Sequence, residues 1–160
     1  MPDPSARPAG RVATYRWQLE PNRGFAAAAD AAPALARLGV SHLYLSPLAE
    51  AVPGSSHGYD VTDPTEVREA LGGREGFNAL ADACRSAGLS LVLDIVPNHL
   101  ATHEANPIWW DVLRLGEGSR WSGVLDIDWA SSGDLVLPVL GDHYGRELEA
   151  GTLVLTRGDR

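Results

Sequence analysis

An apolar stretch that ends abruptly in polar residues constrains the fold of this chain most strongly. Residues 89–93 are apolar apart from one serine, and the next six positions include Asp94, Asn98 and His99. Such a run is typical of a strand covered by helices on both faces of a parallel α/β sheet. The chemistry of these folds concentrates where the strands end. A carboxylate, an amide and an imidazole at that edge therefore predict a polar cluster suited to a polyhydroxylated ligand.

The segments before this strand predict parallel βαβ units and hence the α/β class. Strands are predicted over residues 13–19 and 40–46, with an alanine-rich helix over 24–38 between them. Residues 48–72 are rich in glycine, proline and serine, which predicts a long functional loop. A helix over 74–87 follows, because apolar side chains recur there at helical spacing. Strands joined by helices in this order pair in parallel.

The two ends of the chain have a different character. Residues 1–11 are rich in proline and are expected to form a loose leader. Residues 100–160 are expected to form an excursion of loops and short β elements, with strands at 135–140 and 152–156.

Composition and charge exclude several classes of partner. The formal net charge is −8 and lysine is absent, which argues against nucleic-acid binding. No apolar run approaches the roughly 18 residues that a membrane span needs. Cys84 is the only cysteine, so no intrachain disulfide can form and a reducing compartment is indicated. The first residues lack the apolar core of a signal peptide. We expect a cytoplasmic protein without a membrane or nucleic-acid partner.

A second candidate binding segment lies in the predicted long loop. The run His57-Gly58-Tyr59-Asp60 places an aromatic ring beside a carboxylate, a combination that often binds sugars. The alternative is structural: Tyr59 packs on the core and Asp60 caps a turn. The same alternative applies to Asp94 as a turn cap and His99 as a loop histidine. His99 and His103 lack a third ligand at suitable spacing, so no metal site is expected.

These segments together resemble the α-amylase superfamily. Residues 94–99 are similar to its first conserved motif, after the third barrel strand, and residues 58–60 to its sugar-contacting loop after the second strand. Within the superfamily the resemblance is greatest to the maltooligosyltrehalose synthases, and it covers essentially residues 13–155. The further motifs that carry it are residues 14–19, 39–47, 54–64 and 126–129.

The resemblance implies a fold and an activity. The fold is the N-terminal part of a (β/α)8 barrel, with its first three βα units over residues 12–99 and a loop-rich insertion over 100–160. The implied activity is an intramolecular transglucosylation in trehalose biosynthesis. It rearranges the terminal α-1,4 linkage of a maltooligosaccharide, an α-glucan, to an α,α-1,1 linkage. No cofactor is implied.

The resemblance also implies roles for residues of this chain. Tyr59 would stack on the sugar at the reaction centre, with Asp60 close by and His57 in the same loop. His99 would hydrogen-bond a sugar hydroxyl there. Asp94 would orient a neighbouring active-site side chain, and Asn98 would brace its loop.

The catalytic carboxylates of the family follow later barrel strands, so none is expected in this chain. A complete barrel takes roughly 250 residues. We therefore expect an N-terminal fragment that is inactive in isolation, lacks the C-terminal part of the barrel, and aggregates or dimerises through exposed strand edges. Two alternatives remain open: a non-catalytic α-glucan-binding module or pseudoenzyme, and a fragment of a hydrolytic α-amylase-type enzyme.

Overall fold

The computed structural model describes residues 13–132, 135, 137, 139–154 and 156. Its centre is a parallel sheet of three strands in the order β1 (Thr14–Trp17), β2 (His42–Leu45) and β5 (Ser90–Leu93). Both pairings are in register over four residues. The predicted parallel α/β arrangement is thereby confirmed.

Two helices cover one face of this sheet. α1 (Phe25–Arg37) connects β1 to β2, and α2 (Gly73–Ser86) precedes β5. Side chains alternate between the two faces of a strand, so Leu43 and Leu45 point into the core, where both are fully buried. The core consists of Leu19, Phe25, Ala28, Ala32, Leu35, Leu43, Leu45, Val67, Leu71, Leu80, Cys84 and Leu89.

The opposite face of the sheet carries polar side chains. The register aligns Arg16, Tyr44 and Val92 across the three strands, one position away from the buried leucines. The expectation that β5 is covered on both faces is wrong for the described residues, because Val92 and Leu93 point to opposite faces of the strand and both remain exposed. Val92 is 39% exposed and Leu93 is 41% exposed. A continuous apolar run does not reveal how completely other elements cover each face of the strand.

The segment predicted as a long loop contains regular structure. β3 (Ala49–Ala51) and β4 (Val61–Val67) form an antiparallel pair with an irregular register, and a 3-10 helix follows at Glu69–Leu71. Proline in a run argues against a strand, and β4 contains Pro64. The prediction of an irregular segment over 48–72 is wrong, because β3, β4 and the 3-10 helix lie within it. Only the connection between β3 and β4 is a loop.

The regular elements among the described residues after β5 are all helices. They are α3 (Pro107–Leu115), α4 (Trp129–Ser132) and α5 (Tyr144–Ala150), with a 3-10 turn at Gly116–Gly118. The Asn106 side chain caps α3 by accepting hydrogen bonds from the first turn.

The short strands predicted in this part of the chain are not found. No described residue of 135–140 or 152–156 lies in a strand, and Val136, Pro138 and Leu155 lie outside the described residues. Alternating apolar residues there look like strands, but they have no partner strand in the described part of the chain. The predicted leader over 1–11 also lies outside the described residues. No helix among those described is long and apolar enough to cross a membrane.

Candidate functional site

The site lies at the C-terminal edge of the parallel sheet, where Asp94 directly follows β5. The Asp94 amide donates to the Leu45 carbonyl at 3.0 Å, which fixes the start of the loop against β2. The Asp94 carboxylate accepts two phenolic hydrogen bonds at the same oxygen, Oδ2. Tyr44 donates at 2.9 Å and Tyr59 at 2.7 Å. Asp94 therefore joins the end of β2 to the loop that follows β3.

The bond to Asp94 changes the acidity of its β2 partner. Tyr44 can donate to the carboxylate only while its phenol is neutral, and this raises the pKa of Tyr44 above its usual value. The positive charge of Arg16, which lies 5.8 Å from the centre of the Tyr44 ring, opposes the shift.

Tyr59 stands on the loop of residues 52–60 between β3 and β4, which we call the Tyr59 loop and which is held by polar contacts in its interior. The Ser55 hydroxyl donates to Asp60 at 2.5 Å and accepts from the Gly58 amide at 3.1 Å. Arg68, which is buried, donates to the Ser55 carbonyl at 2.7 Å. One carboxylate oxygen of Asp60 is therefore used within the loop, while Tyr59 as a whole residue remains 38% exposed.

The backbone of Tyr59 is held by histidines on both sides. The Tyr59 amide donates to Nδ1 of His57 at 3.0 Å, and the two rings stack with their centres 6.0 Å apart. His99 reaches the Tyr59 carbonyl with Nε2 at 3.0 Å. A carbonyl only accepts, so this nitrogen carries the proton. Nδ1 of His99 lies 3.0 Å from the Asn98 side-chain oxygen.

The structure therefore brings all six predicted site residues into one connected group around Tyr59. We call this group the Tyr59 cluster, and it comprises His57, Tyr59, Asp60, Asp94, Asn98 and His99. The sugar contacts implied for Tyr59 and His99 remain predictions. No described group of three or more His, Cys, Asp or Glu residues is arranged to hold a metal ion.

A cavity of about 290 Å³ with mostly apolar walls lies next to Asp94. Its walls come mostly from proline and aliphatic side chains, including Leu48, Val61, Ile95 and Val96. A polyhydroxylated ligand needs several hydrogen-bonding partners, which these walls do not supply. The Tyr59 cluster is the better candidate for such a ligand.

With this geometry established, comparison with known proteins identifies the family. The family profile "Alpha amylase, catalytic domain" matches residues 16–110, which include every residue of the Tyr59 cluster. The chain belongs to the α-amylase family.

Individual relatives show which kind of α-amylase family member this chain resembles. The chain is 47% identical over 138 residues to a putative maltooligosyl trehalose synthase of Mycobacterium tuberculosis strain H37Rv, covering 81% of this chain and 18% of that protein. It is similar to the solved maltooligosyltrehalose synthase from Arthrobacter ramosus, with a TM-score of 0.80 and 47% identity, over 88% of this chain and 19% of that one.

A relative named as an amylase is less similar. The intracellular maltogenic amylase of Bacillus subtilis is 34% identical over 109 residues, covering 68% of this chain and 17% of that protein. The resemblance to maltooligosyltrehalose synthases is thereby confirmed, and the two alternative functions are not favoured. The chain spans 17–19% of the length of these three relatives.

Several residues at the site of this α-amylase family member were not predicted from the sequence. Arg16, Gln18 and Tyr44 contact the Tyr59 loop or its partners. Arg16 and Tyr44 alternate with apolar positions in their strands, so the period of two was a usable signal for a shared face. The support from Ser55 and Arg68 depends on the folded loop and had no comparable signal in the sequence.

Replacing Gly58 with alanine is expected to displace the Tyr59 loop. Gly58 has a φ of +77°, and an added Cβ would lie 2.8 Å from the Pro47 carbonyl oxygen. An L residue in that conformation costs about 1–3 kcal/mol, before the clash is counted. We expect urea unfolding followed by circular dichroism to show at least this loss. Gly54→Ala is the control, because Gly54 also has a positive φ but meets no atom within 4 Å. An equal loss in both variants would contradict the role of the Pro47 contact.

Replacing Asp94 with asparagine is expected to lower the pKa of Tyr44. The folded chain holds the pKa of Tyr44 above the ordinary value of about 10. The stability from this bond is therefore complete below pH about 10 and is lost as pH rises through the folded pKa. In Asp94→Asn the charged acceptor is gone, so Tyr44 should titrate earlier and this loss at alkaline pH should shrink. Titration of ¹³C-labelled tyrosine rings by NMR measures the change; an unchanged Tyr44 pKa would contradict the assigned bond.

Proposed function

We propose that the chain forms the first part of the barrel of an enzyme that converts maltooligosaccharides to maltooligosyltrehalose, and that the Tyr59 cluster binds the α-glucan. The observation that carries the proposal is the fixed, half-exposed ring of Tyr59. Its hydroxyl is bonded to Asp94, its amide to His57 and its carbonyl to His99. The apolar face of a pyranose stacks on such a ring, and the surrounding polar groups can meet its hydroxyls.

The proposed reaction suits a stacking contact. The bond between C1 of the penultimate glucose and O4 of the terminal glucose at the reducing end breaks, and O4 takes up a proton. A bond from that C1 to O1 of the same terminal glucose forms, and O1 gives up its proton. No water is consumed. The terminal glucose must therefore rotate while it stays bound, so that its O1 takes the place of its O4 beside the reacting C1. A flat aromatic ring retains a sugar without fixing which hydroxyl faces the reacting carbon.

The carboxylates of the Tyr59 cluster are better suited to support than to covalent chemistry. A retaining mechanism needs a nucleophile and an acid/base about 5–5.5 Å apart. Asp60 accepts the Ser55 hydroxyl, and Asp94 accepts two phenols. We therefore assign neither carboxylate to catalysis. Their role in the proposal is to hold and orient the Tyr59 ring, which we call the sugar platform. We also retain the cytoplasmic localisation as part of the proposal, on the basis of the single cysteine.

Isothermal titration calorimetry with two oligosaccharides tests the proposed function. We expect the chain to bind maltoheptaose, whose glucoses are α-1,4-linked, more tightly than cellohexaose, whose glucoses are β-1,4-linked. The count of reducing ends in the maltoheptaose sample should stay constant, because the cluster supplies no nucleophile. Equal affinities for the two sugars, or no heat of binding with either of them, would contradict the glucan-binding proposal.

We further infer that the isolated chain self-associates through β5. This strand lies at a sheet edge, and Ile95 just beyond it is 71% exposed. Exposed apolar edges pair with other strands. Light scattering should show dimers or larger species at micromolar concentration, and an Ile95→Lys variant should shift the population toward monomers. A monodisperse monomer of the unaltered chain would rule this out.

A further inference from the structure

Arg16 projects from β1 on the open face of the sheet and contacts the sugar platform directly. Its Nη2 donates to the Tyr59 hydroxyl at 3.3 Å, and its Nη1 donates to the Gln18 side-chain oxygen at 2.9 Å. The same guanidinium lies over the Tyr44 ring. The hydrogen bond to Tyr59 is the leading cause that raises the pKa of Arg16, which remains a cation throughout the ordinary pH range.

The hydrogen bonds of Tyr59 explain why Arg16 matters for orientation. A phenol has one proton, and Tyr59 donates it to Asp94 at 2.7 Å. The remaining capacity of the oxygen is to accept, and Arg16 supplies the donor. A single hydrogen bond would let the ring swing about the Asp94 contact. A second bond from another strand restricts that motion.

Gln18 ties the same strand end to the loop backbone. Its side-chain nitrogen donates to the Ser56 carbonyl at 3.1 Å, three residues before Tyr59, while its oxygen accepts from Arg16. The end of β1 therefore contacts the loop at two points, the Ser56 carbonyl and the Tyr59 hydroxyl. The planar guanidinium reaches both Gln18 and Tyr59 at once, which a lysine ammonium cannot do with the same geometry.

We propose that Arg16 is a positioning residue that fixes the orientation of the Tyr59 ring, with Gln18 as its partner, and so sets the affinity of the platform for α-glucan. The part that concerns affinity rests on the proposed function. The part that concerns ring orientation does not. The two parts can therefore be tested separately.

NMR of tyrosine labelled with ¹³C on the ring tests the orientation without any ligand. The chain has four tyrosines, so the spectrum is simple, and Tyr→Phe variants assign each signal. In Arg16→Gln we expect the Tyr59 and Tyr44 signals to move and the Tyr144 signal to stay. In Arg16→Lys, which keeps the charge, we expect the Tyr44 signal to recover more fully than the Tyr59 signal. Arg74→Gln, at an exposed arginine of α2, should leave all four unchanged.

An unchanged Tyr59 signal in Arg16→Gln would overturn the proposal. If Arg16→Gln fails to fold, Arg16→Lys decides the question: a moved Tyr59 signal supports the proposal and an unmoved one overturns it. The second measurement is calorimetry with maltoheptaose, where we expect Arg16→Gln to bind roughly three- to tenfold more weakly because preorganisation is lost.

The two measurements separate the possible failures. If the unaltered chain binds maltoheptaose and Arg16→Gln binds it equally well, the role in affinity is wrong and the proposed function stands. If the unaltered chain does not bind maltoheptaose, the proposed function fails, and the ligand-free spectra still decide whether Arg16 orients Tyr59.

Discussion

Replacing Phe25 with alanine is expected to lower the free energy of unfolding by about 3–5 kcal/mol. Phe25 begins α1 and is fully buried. Its ring meets Phe77 edge-on, with the ring centres 5.7 Å apart, and lies against the backbone of Gly76 in α2. Loss of the ring would leave a cavity between the two helices that cover the sheet. Urea unfolding followed by circular dichroism at 222 nm measures the change.

Two control variants test whether the cavity is the cause. Phe25→Leu keeps most of the side-chain volume and should cost about 1.5 kcal/mol or less. Phe77→Ala removes the other ring of the pair, but Phe77 is only partly buried, so its loss should be smaller than that of Phe25→Ala. If Phe25→Ala costs no more than Phe77→Ala, the packing of the core around Phe25 is wrongly described.

Replacing Tyr59 with alanine is expected to weaken binding of maltoheptaose by roughly ten- to hundredfold. Covering an aromatic side chain of this size contributes about 1.5–3 kcal/mol, and each 1.4 kcal/mol corresponds to about a tenfold change in Kd. The variant also removes a hydrogen bond from Asp94 and the acceptor of Arg16. Isothermal titration calorimetry measures the change.

Tyr59→Phe separates the ring from its hydroxyl. It keeps the stacking surface but loses both contacts of the hydroxyl, to Arg16 and to Asp94, so we expect a decrease at least as large as the three- to tenfold decrease of Arg16→Gln and smaller than that of Tyr59→Ala. Tyr144→Ala, at an exposed tyrosine of α5, should leave the affinity unchanged. Equal affinities for Tyr59→Ala and the unaltered chain would exclude Tyr59 as the sugar platform.

The βαβ core could be predicted because its signals are local. The apolar run before Asp94, the alanine-rich α1 and the helical spacing in α2 each indicate one element, and the parallel order follows from their sequence. The pairing of β3 with β4 depends on contacts across a loop, and Pro64 masks the strand. The edge position of β5 depends on what lies beside it in space. Neither could be inferred from a window of sequence.

The candidate site was predictable in part for the same reason. The runs ending in Asp60 and His99 are compact motifs, and the resemblance placed them in one sugar site. Two contacts could not be predicted from the sequence, because they join residues that are brought together only in the folded chain. His99 bonds to the Tyr59 carbonyl, and Asp94 accepts a hydrogen bond from Tyr44. Arg16 lies 43 positions before Tyr59, so only the pairing of β1 with β2 brings its side chain to the site.

The most direct test of the Tyr59 cluster as an α-glucan site is a map of maltoheptaose binding along the backbone. Amide signals of the ¹⁵N-labelled chain are recorded by NMR as the sugar is added. We expect the amide signals of Gly58, Tyr59, Asp94, Asn98 and His99 to shift and the signals of α5 to stay in place. Shifts confined to the helices after residue 106, or no shifts at millimolar sugar, would contradict the assignment of the Tyr59 cluster as an α-glucan site.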